Sequence, residues 1–303
     1  MEIPKSNQRS SPLGLVLFTW LAVLLVSDLP DAIWQALAGD HPGWLSWVKI
    51  GLLAVLIIAS LTWKLIRPVR AYFVLLLVLF LALYGMNLLR SSTPYLQWER
   101  QIGWAWGMVV YQALKLVVAF IMIAALLLMG RRPKEFFLTP GQLNAPAWAA
   151  GSGGDRKKPS VTWGGLGLML GICILPLTLL FFAFGNLPAT EVLVRALPFF
   201  PLAVLFAITN AFSEEMQYRA ALLGDLQAAL GDDHAIWMTA VFFGMIHYFG
   251  GEPSGIPGVL IAGLLGALFA KCMLGSKGIA VPWFIHFCQN AVIYAFWAID
   301  SVA

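Results

Sequence analysis

The sequence predicts an all-α membrane protein, a polytopic bundle of about nine transmembrane helices. Three observations carry that expectation. Hydrophobic residues make up 60% of the chain and charged residues only 11%, against about 25% charged in a soluble domain. Apolar runs near the roughly 20 residues that a helix needs to cross the hydrocarbon core recur along the whole length. Lysine and arginine gather between those runs, where a bilayer tolerates them.

On that ruler the spans run 13 to 38, 44 to 66, 71 to 90, 108 to 130, 163 to 185, 195 to 224, 235 to 250, 256 to 274 and 280 to 299. The first loses its apolar character at Asp28 and the seventh is short. Lys5 and Arg9 ahead of an apolar stretch, with "ALA" at 36 to 38, resemble a signal peptide. Those alanines lie about ten residues too far along for ordinary cleavage, so the first span is expected to be retained.

Basic residues set the orientation. Lys64, Arg67 and Arg70 follow span 2 with no acid among them, and the stretch 131 to 162 carries Arg131, Arg132, Lys134, Arg156, Lys157 and Lys158 against Glu135 and Asp155. Both are expected in the cytoplasm. The loop with Asp28, Asp31 and Asp40 has no base, and those around Glu191 and Glu252 are poor in bases, which puts all three on the far side. Nine spans then place the N-terminus in the cytoplasm and the C-terminus outside; the expected membrane is the bacterial plasma (inner) membrane.

Residues 144 to 160, "NAPAWAAGSGGDRKKPS", have the Gly, Ser, Pro and charge content of a linker. They divide the chain into a four-span anchor (1–130), a cytoplasmic linker loop (131–162) and a five-span membrane core (163–303). The net charge of +4 is spread over juxtamembrane loops, without the basic helix of a nucleic-acid surface. Cys173, Cys272 and Cys288 sit in apolar segments without ligand spacing and read as small hydrophobes. Ala262, Gly266 and Ala270 form a small-residue stripe suited to helix packing. Arg195 and Lys271 read as interfacial anchors, Trp104 and Trp106 as part of an aromatic belt, and Lys115 in mid-span as a residue that pairs or snorkels.

Polar residues concentrate after the linker. Glu214, Glu215 and Arg219 interrupt an apolar helix, and Glu215 with Arg219 at i, i+4 can pair on one face. Glu214 is then left over. Two readings stand at this point: a buried carboxylate that takes and returns protons, or a charge cluster at a cytoplasmic helix end. His247 follows Glu214 by 33 residues, with the turn-like "LGDDH" of 230 to 234 midway. An antiparallel hairpin about that turn brings the two to one depth, about 20 Å along each helix. His286 and Asn290, four apart behind Pro282, share one face of the last span. Groups of this kind in lipid need partners, and a shared water-filled cavity satisfies Glu214, His247, His286 and Asn290 together.

Taken in order, EExxxR (Glu214, Glu215, Arg219), FxxxH (Phe243, His247) and HxxxN (His286, Asn290) resemble the motifs of the CPBP family, the CAAX-prenyl endopeptidases and bacteriocin-processing or immunity proteins also called Abi. The resemblance covers about residues 163 to 299. It implies an intramembrane endopeptidase acting on a membrane-associated protein or peptide, in the lipid bilayer and without nucleic acid. It further implies Glu214 as general base for water, His247 holding that water, His286 and Asn290 as oxyanion donors, and Glu215, Arg219 and Phe243 in support. No cofactor is expected. The alternative within the family is zinc on Glu214, His247 and His286, although HExxH is absent. A non-proteolytic immunity or scaffold protein and a proton-coupled transporter remain as other functions.

Overall fold

The computed structural model describes residues 12–147, 161–184 and 187–303. Lys5, Arg9 and the linker residues from 148 to 160, including Asp155, Arg156, Lys157 and Lys158, lie outside them. The helices are α1 (Leu13–Val26), α2 (Leu29–Ala38), α3 (Trp44–Thr62), α4 (Arg70–Arg90), α5 (Thr93–Glu99), α6 (Trp104–Leu128), α7 (Trp163–Ala183), α8 (Thr190–Ala196), α9 (Phe200–Glu215), α10 (Ala221–Leu230), α11 (Asp232–Ile246), α12 (Gly255–Ser276) and α13 (Ala280–Asp300). A π-helical turn, Met216–Ala220, joins α9 to α10. The one extended pairing among the described residues is an isolated bridge between Pro146 and Thr162. The protein is an all-α helical membrane bundle.

Among the described residues, six helical stretches are long and apolar enough to span, or seven if the bent pair α1 and α2 forms one span. Length and composition alone therefore do not reach the expected nine, for identifiable reasons. The first expected span breaks by 51° between α1 and α2, where Pro30 opens the first turn of α2. The seventh, α11, has 15 residues, too few for a full crossing. The ninth, α13, has 21 residues but carries His286, Gln289 and Asn290 in its middle. The sixth expected span belongs to a helical stretch of 41 residues, Thr190–Leu230.

Two compact units divide the chain. One comprises Met1–Leu81 and Leu222–Ala270, the other Ala82–Ala221 and Lys271–Ala303.

Within the first unit, Lys49 is buried and pairs with Asp28 at 3.0 Å and with Asp31, while His41 Nε2 lies 3.3 Å from Asp31. These groups collect around the break between α1 and α2. Helix α11 meets α12 closely through Gly244: a Cβ there would lie 2.7 Å from the Val259 carbonyl oxygen and 3.1 Å from Gly263 Cα. Ala262, Gly266 and Ala270 are buried, as a packing stripe requires.

Within the second unit, α13 packs on α9 and α7, and α6 packs on α9. Gly167 and Gly171 let α7 approach: a Cβ at Gly171 would meet Phe284 at 2.6 Å, and one at Gly167 would meet Val281 at 3.1 Å. Small residues at i, i+4 are the usual means by which membrane helices come together. Thr162 caps α7 by accepting from the Gly165 N–H at 3.1 Å. Ala203, Phe206 and Ala207 of α9 form an apolar core with Tyr294 and Ala298 of α13, flanked by Trp104 and Met108 of α6. Trp104 thus faces α9, edge-on to Phe206 at 5.8 Å, while Trp106, two residues on, is exposed. Between α6 and α7, the backbone N–H of Arg132, and then its side chain, hold the Glu135 carboxyl below its ordinary range.

Cys272 and Cys288 are buried and free, and Cys173 is exposed and free. Large apolar side chains such as Leu17, Val55, Ile58, Leu168 and Leu264 lie exposed on the helices, as they do when the solvent is lipid.

Candidate active site

One step along the three packed helices from the Phe206–Tyr294 core, the side chains turn polar. Gln112 of α6 is buried and donates to the Tyr294 hydroxyl at 2.7 Å; Thr209 of α9 donates to Gln112 Oε1 at 3.4 Å. A turn further on α6 stands Lys115. Its Nζ donates to Glu214 Oε1 at 2.6 Å and also to Asn210 Oδ1. Asn210 Nδ2 in turn donates to the same Glu214 oxygen at 3.1 Å. Asn210 and Glu214 are four apart on α9, so one helix face presents both to one lysine.

The expectation that Glu214 has no cationic partner is therefore corrected. Its base comes from α6, 99 residues away in the chain, a pairing that local spacing along one helix cannot reveal. Lys115 does pair, as expected of a mid-span lysine.

Glu215 and Arg219 form the expected i, i+4 pair. Both are buried, and Arg219 Nη1 lies 2.5 Å from Glu215 Oε1. The π turn holding Arg219 is buried at all five residues, and turns of this type are frequent beside functional groups. Gln217 in the same turn donates to the Lys115 carbonyl at 2.8 Å, tying the turn to α6.

His286 of α13 bridges the two carboxylates. Its Nδ1 is 2.8 Å from Glu215 Oε1, and its Nε2 is 3.5 Å from Glu214 Oε2. Because Glu215 is already matched with Arg219 it is a carboxylate and accepts, so Nδ1 of His286 carries a proton. Asn290, one turn on, is buried, and its Nδ2 has no hydrogen-bond partner among the described residues. A buried donor left unmade costs about 1–3 kcal/mol unless something else uses it.

His247 belongs to the other unit, where it ends α11. Its Nδ1 meets the Phe243 carbonyl at 2.9 Å, and its ring packs on the Phe243 ring at 4.5 Å between centroids. A carbonyl only accepts, so Nδ1 is the donor and Nε2 the basic nitrogen of the neutral ring. Gly251 lies against the ring: a Cβ there would sit 2.5 Å from Cδ2. Phe243 thus fixes both the plane and the tautomer of His247. The turn expected at 230 to 234 is present, as Gly231 with φ 86° between α10 and α11.

Glu214, Glu215, Arg219, His286 and Asn290 are accordingly assembled in one unit on α9, the π turn and α13, together with Lys115, Asn210 and Gln112. Asn210 lies in "AITNAFSEE", one turn before Glu214, a spacing that marks it in retrospect. Among the described residues no three His, Cys, Asp or Glu side chains are grouped as a metal site.

Residues 195–292 match the family model of the Rce1-like type II CAAX prenyl endopeptidases. This stretch is similar to CPBP-family sequence. The match runs from the end of α8 through α9, the π turn, α10, α11 and α12 to the part of α13 that bears His286 and Asn290, and excludes α6 with Lys115. No curated protein and no solved structure matches the chain.

Proposed function

We propose that the protein is an intramembrane endopeptidase that hydrolyses a peptide bond of a membrane-associated protein or peptide, with Glu214 as general base. The observation that carries this reading is the two-sided use of the Glu214 carboxylate. Oε1 accepts from Lys115 and Asn210, while Oε2 is turned to His286 Nε2 at 3.5 Å. That separation suits a water or a proton passing between the two groups.

In this mechanism Glu214 Oε2 takes a proton as the water oxygen adds to the scissile carbonyl; the part of holding that water is assigned to His247 by the family resemblance alone. Asn290 Nδ2, the donor without a partner, receives the oxyanion. His286 donates at Nε2 only when it carries a second proton, because Nδ1 already donates to Glu215. Glu214 is the group placed to supply that proton, and Glu215 then stabilises the imidazolium. Collapse of the tetrahedral intermediate breaks the C–N bond, and the leaving amine takes the proton.

The anchor, linker and core organisation, a bacterial plasma membrane, a cytoplasmic N-terminus and an external C-terminus belong to the same proposal, on the distribution of lysine and arginine. The chemistry is read as metal-free, with zinc on Glu214, His247 and His286 as its alternative.

The test compares the membrane peptidome of a deletion strain complemented by wild type or by Glu214→Gln. Peptides cut by wild type are expected to persist uncut with Glu214→Gln, with cleavage of one such peptide by purified protein lowered at least about 100-fold. Identical peptide sets overturn the reading in favour of a non-proteolytic immunity or scaffold protein. Metal analysis of the same active preparations decides the chemistry. Stoichiometric zinc released by Glu214→Gln or His247→Ala makes Glu214 a ligand and moves water activation to the metal.

A further inference from the structure

Lys115 lies outside the family segment and near the middle of α6, a 25-residue helix. Its ammonium is too far from either helix end to snorkel to an interface. Instead it closes a ring with Asn210 and Glu214, in which Asn210 accepts from the lysine and donates to the carboxylate. The lysine and glutamate side chains are 12% and 14% exposed, so little water screens them. We propose that Lys115 is a positioning residue for the reaction: it keeps Glu214 ionised and consumes Oε1, so that Oε2 is the oxygen presented to the reacting water. This rests on the endopeptidase reading above.

Charge balance within the unit supports the assignment. Two carboxylates, Glu214 and Glu215, face two bases, Lys115 and Arg219, so the cluster is neutral with His286 neutral. Without Lys115, Glu214 and Glu215 would share Arg219 as their permanent cation in this cluster, and a second negative charge in lipid would favour a proton on Glu214. A protonated Glu214 cannot serve as base. Other groups near it in this unit include Tyr111 of α6, whose ring lies 5.6 Å from Lys115 Nζ, Asn210, His286, and Tyr294 acting through Gln112. Arg219 also acts on Glu214 electrostatically, but its Nη1 is bonded to Glu215.

The experiment uses the full chain in detergent with a peptide that wild type cuts in the peptidome comparison. Lys115→Met is expected to lower kcat about 100-fold near neutral pH with little change in KM. The acid limb of its pH profile should move to higher pH, so that the deficit shrinks as pH rises. Lys115→Arg keeps the charge and should restore the limb to its wild-type place. A loss that is uniform across pH, or no loss, overturns the proposal.

An infrared readout separates this from the endopeptidase reading. The difference between wild type and Glu214→Gln assigns the Glu214 band, which in Lys115→Met should be that of a protonated acid where wild type is ionised. An ionised band in Lys115→Met overturns the proposal even if no substrate is ever cut. Should Lys115→Met not fold, Lys115→Gln keeps a donor without the charge and serves both measurements.

Discussion

Each unit holds a buried charge cluster, and the two are built on different terms. Asp28, Asp31, Lys49 and His41 set two carboxylates against one lysine at the place where α1 breaks into α2. A broken helix frees backbone groups and needs polar partners, so the fold itself accounts for that cluster. Glu214, Glu215, Lys115 and Arg219 balance two against two along α6, α9 and the π turn, where the helical stretch Thr190–Leu230 continues. They stand beside a histidine touching both carboxylates and an asparagine donor with no partner among the described residues. The helix break accounts for the first cluster; the second has no such break beside it among the described residues, and its histidine and asparagine are the groups the proposed mechanism uses.

The sharpest test removes one cation from each. Arg219→Met and Lys49→Met should each destabilise the protein by about 3–5 kcal/mol, because each leaves a buried carboxylate without its base; denaturant or thermal unfolding in detergent measures this. Only Arg219→Met should also abolish cleavage. If Lys49→Met lowers kcat per folded molecule, the contrast between the clusters fails.

Asn290→Ala comes next. Removing the unpartnered donor should lower kcat by about 3 kcal/mol of transition-state stabilisation while leaving the unfolding midpoint nearly unchanged. A large loss of stability with no effect on kcat would make Asn290 a packing residue.

Gly171→Ala tests the seat of the second cluster. A methyl 2.6 Å from Phe284 forces α7 off α13, at a cost of about 1–3 kcal/mol, and His286 on α13 should lose activity with it. Smallest is Tyr294→Phe, which removes the hydrogen bond from Gln112 for about 1 kcal/mol and should leave kcat within a few-fold. A fall comparable to that of Asn290→Ala would extend the site to the layer of Gln112 and Tyr294.

Residues close in sequence were legible before the structure. The Glu215–Arg219 pair follows from a spacing of four, the common face of His286 and Asn290 from the same arithmetic, and the Gly231 turn from local composition. The break in the first span was half legible, through Asp28 and Pro30. Lys115 was visible as an anomaly, but its partner was not, since the pairing depends on how α6 packs on α9 and no periodicity encodes that. The π turn has no signature in "MQYRA". His286 was expected as an oxyanion donor; its bond to Glu215 depends on which way an imidazole turns, which neighbouring side chains decide.

The neutrality of the Glu214 cluster has a consequence for an enzyme working in an energised membrane. A voltage of 100 mV does about 2.3 kcal/mol of work on a unit charge carried across the whole hydrocarbon layer. Lys115, Glu214, Glu215 and Arg219 carry no net charge for that field to pull on. A proton passed from Glu214 Oε2 to His286 Nε2 travels less than the 3.5 Å between those atoms, itself roughly a tenth of the layer's thickness. The field therefore contributes at most about 0.3 kcal/mol to that step, and turnover should stay nearly constant whether the cell's membrane is charged or collapsed.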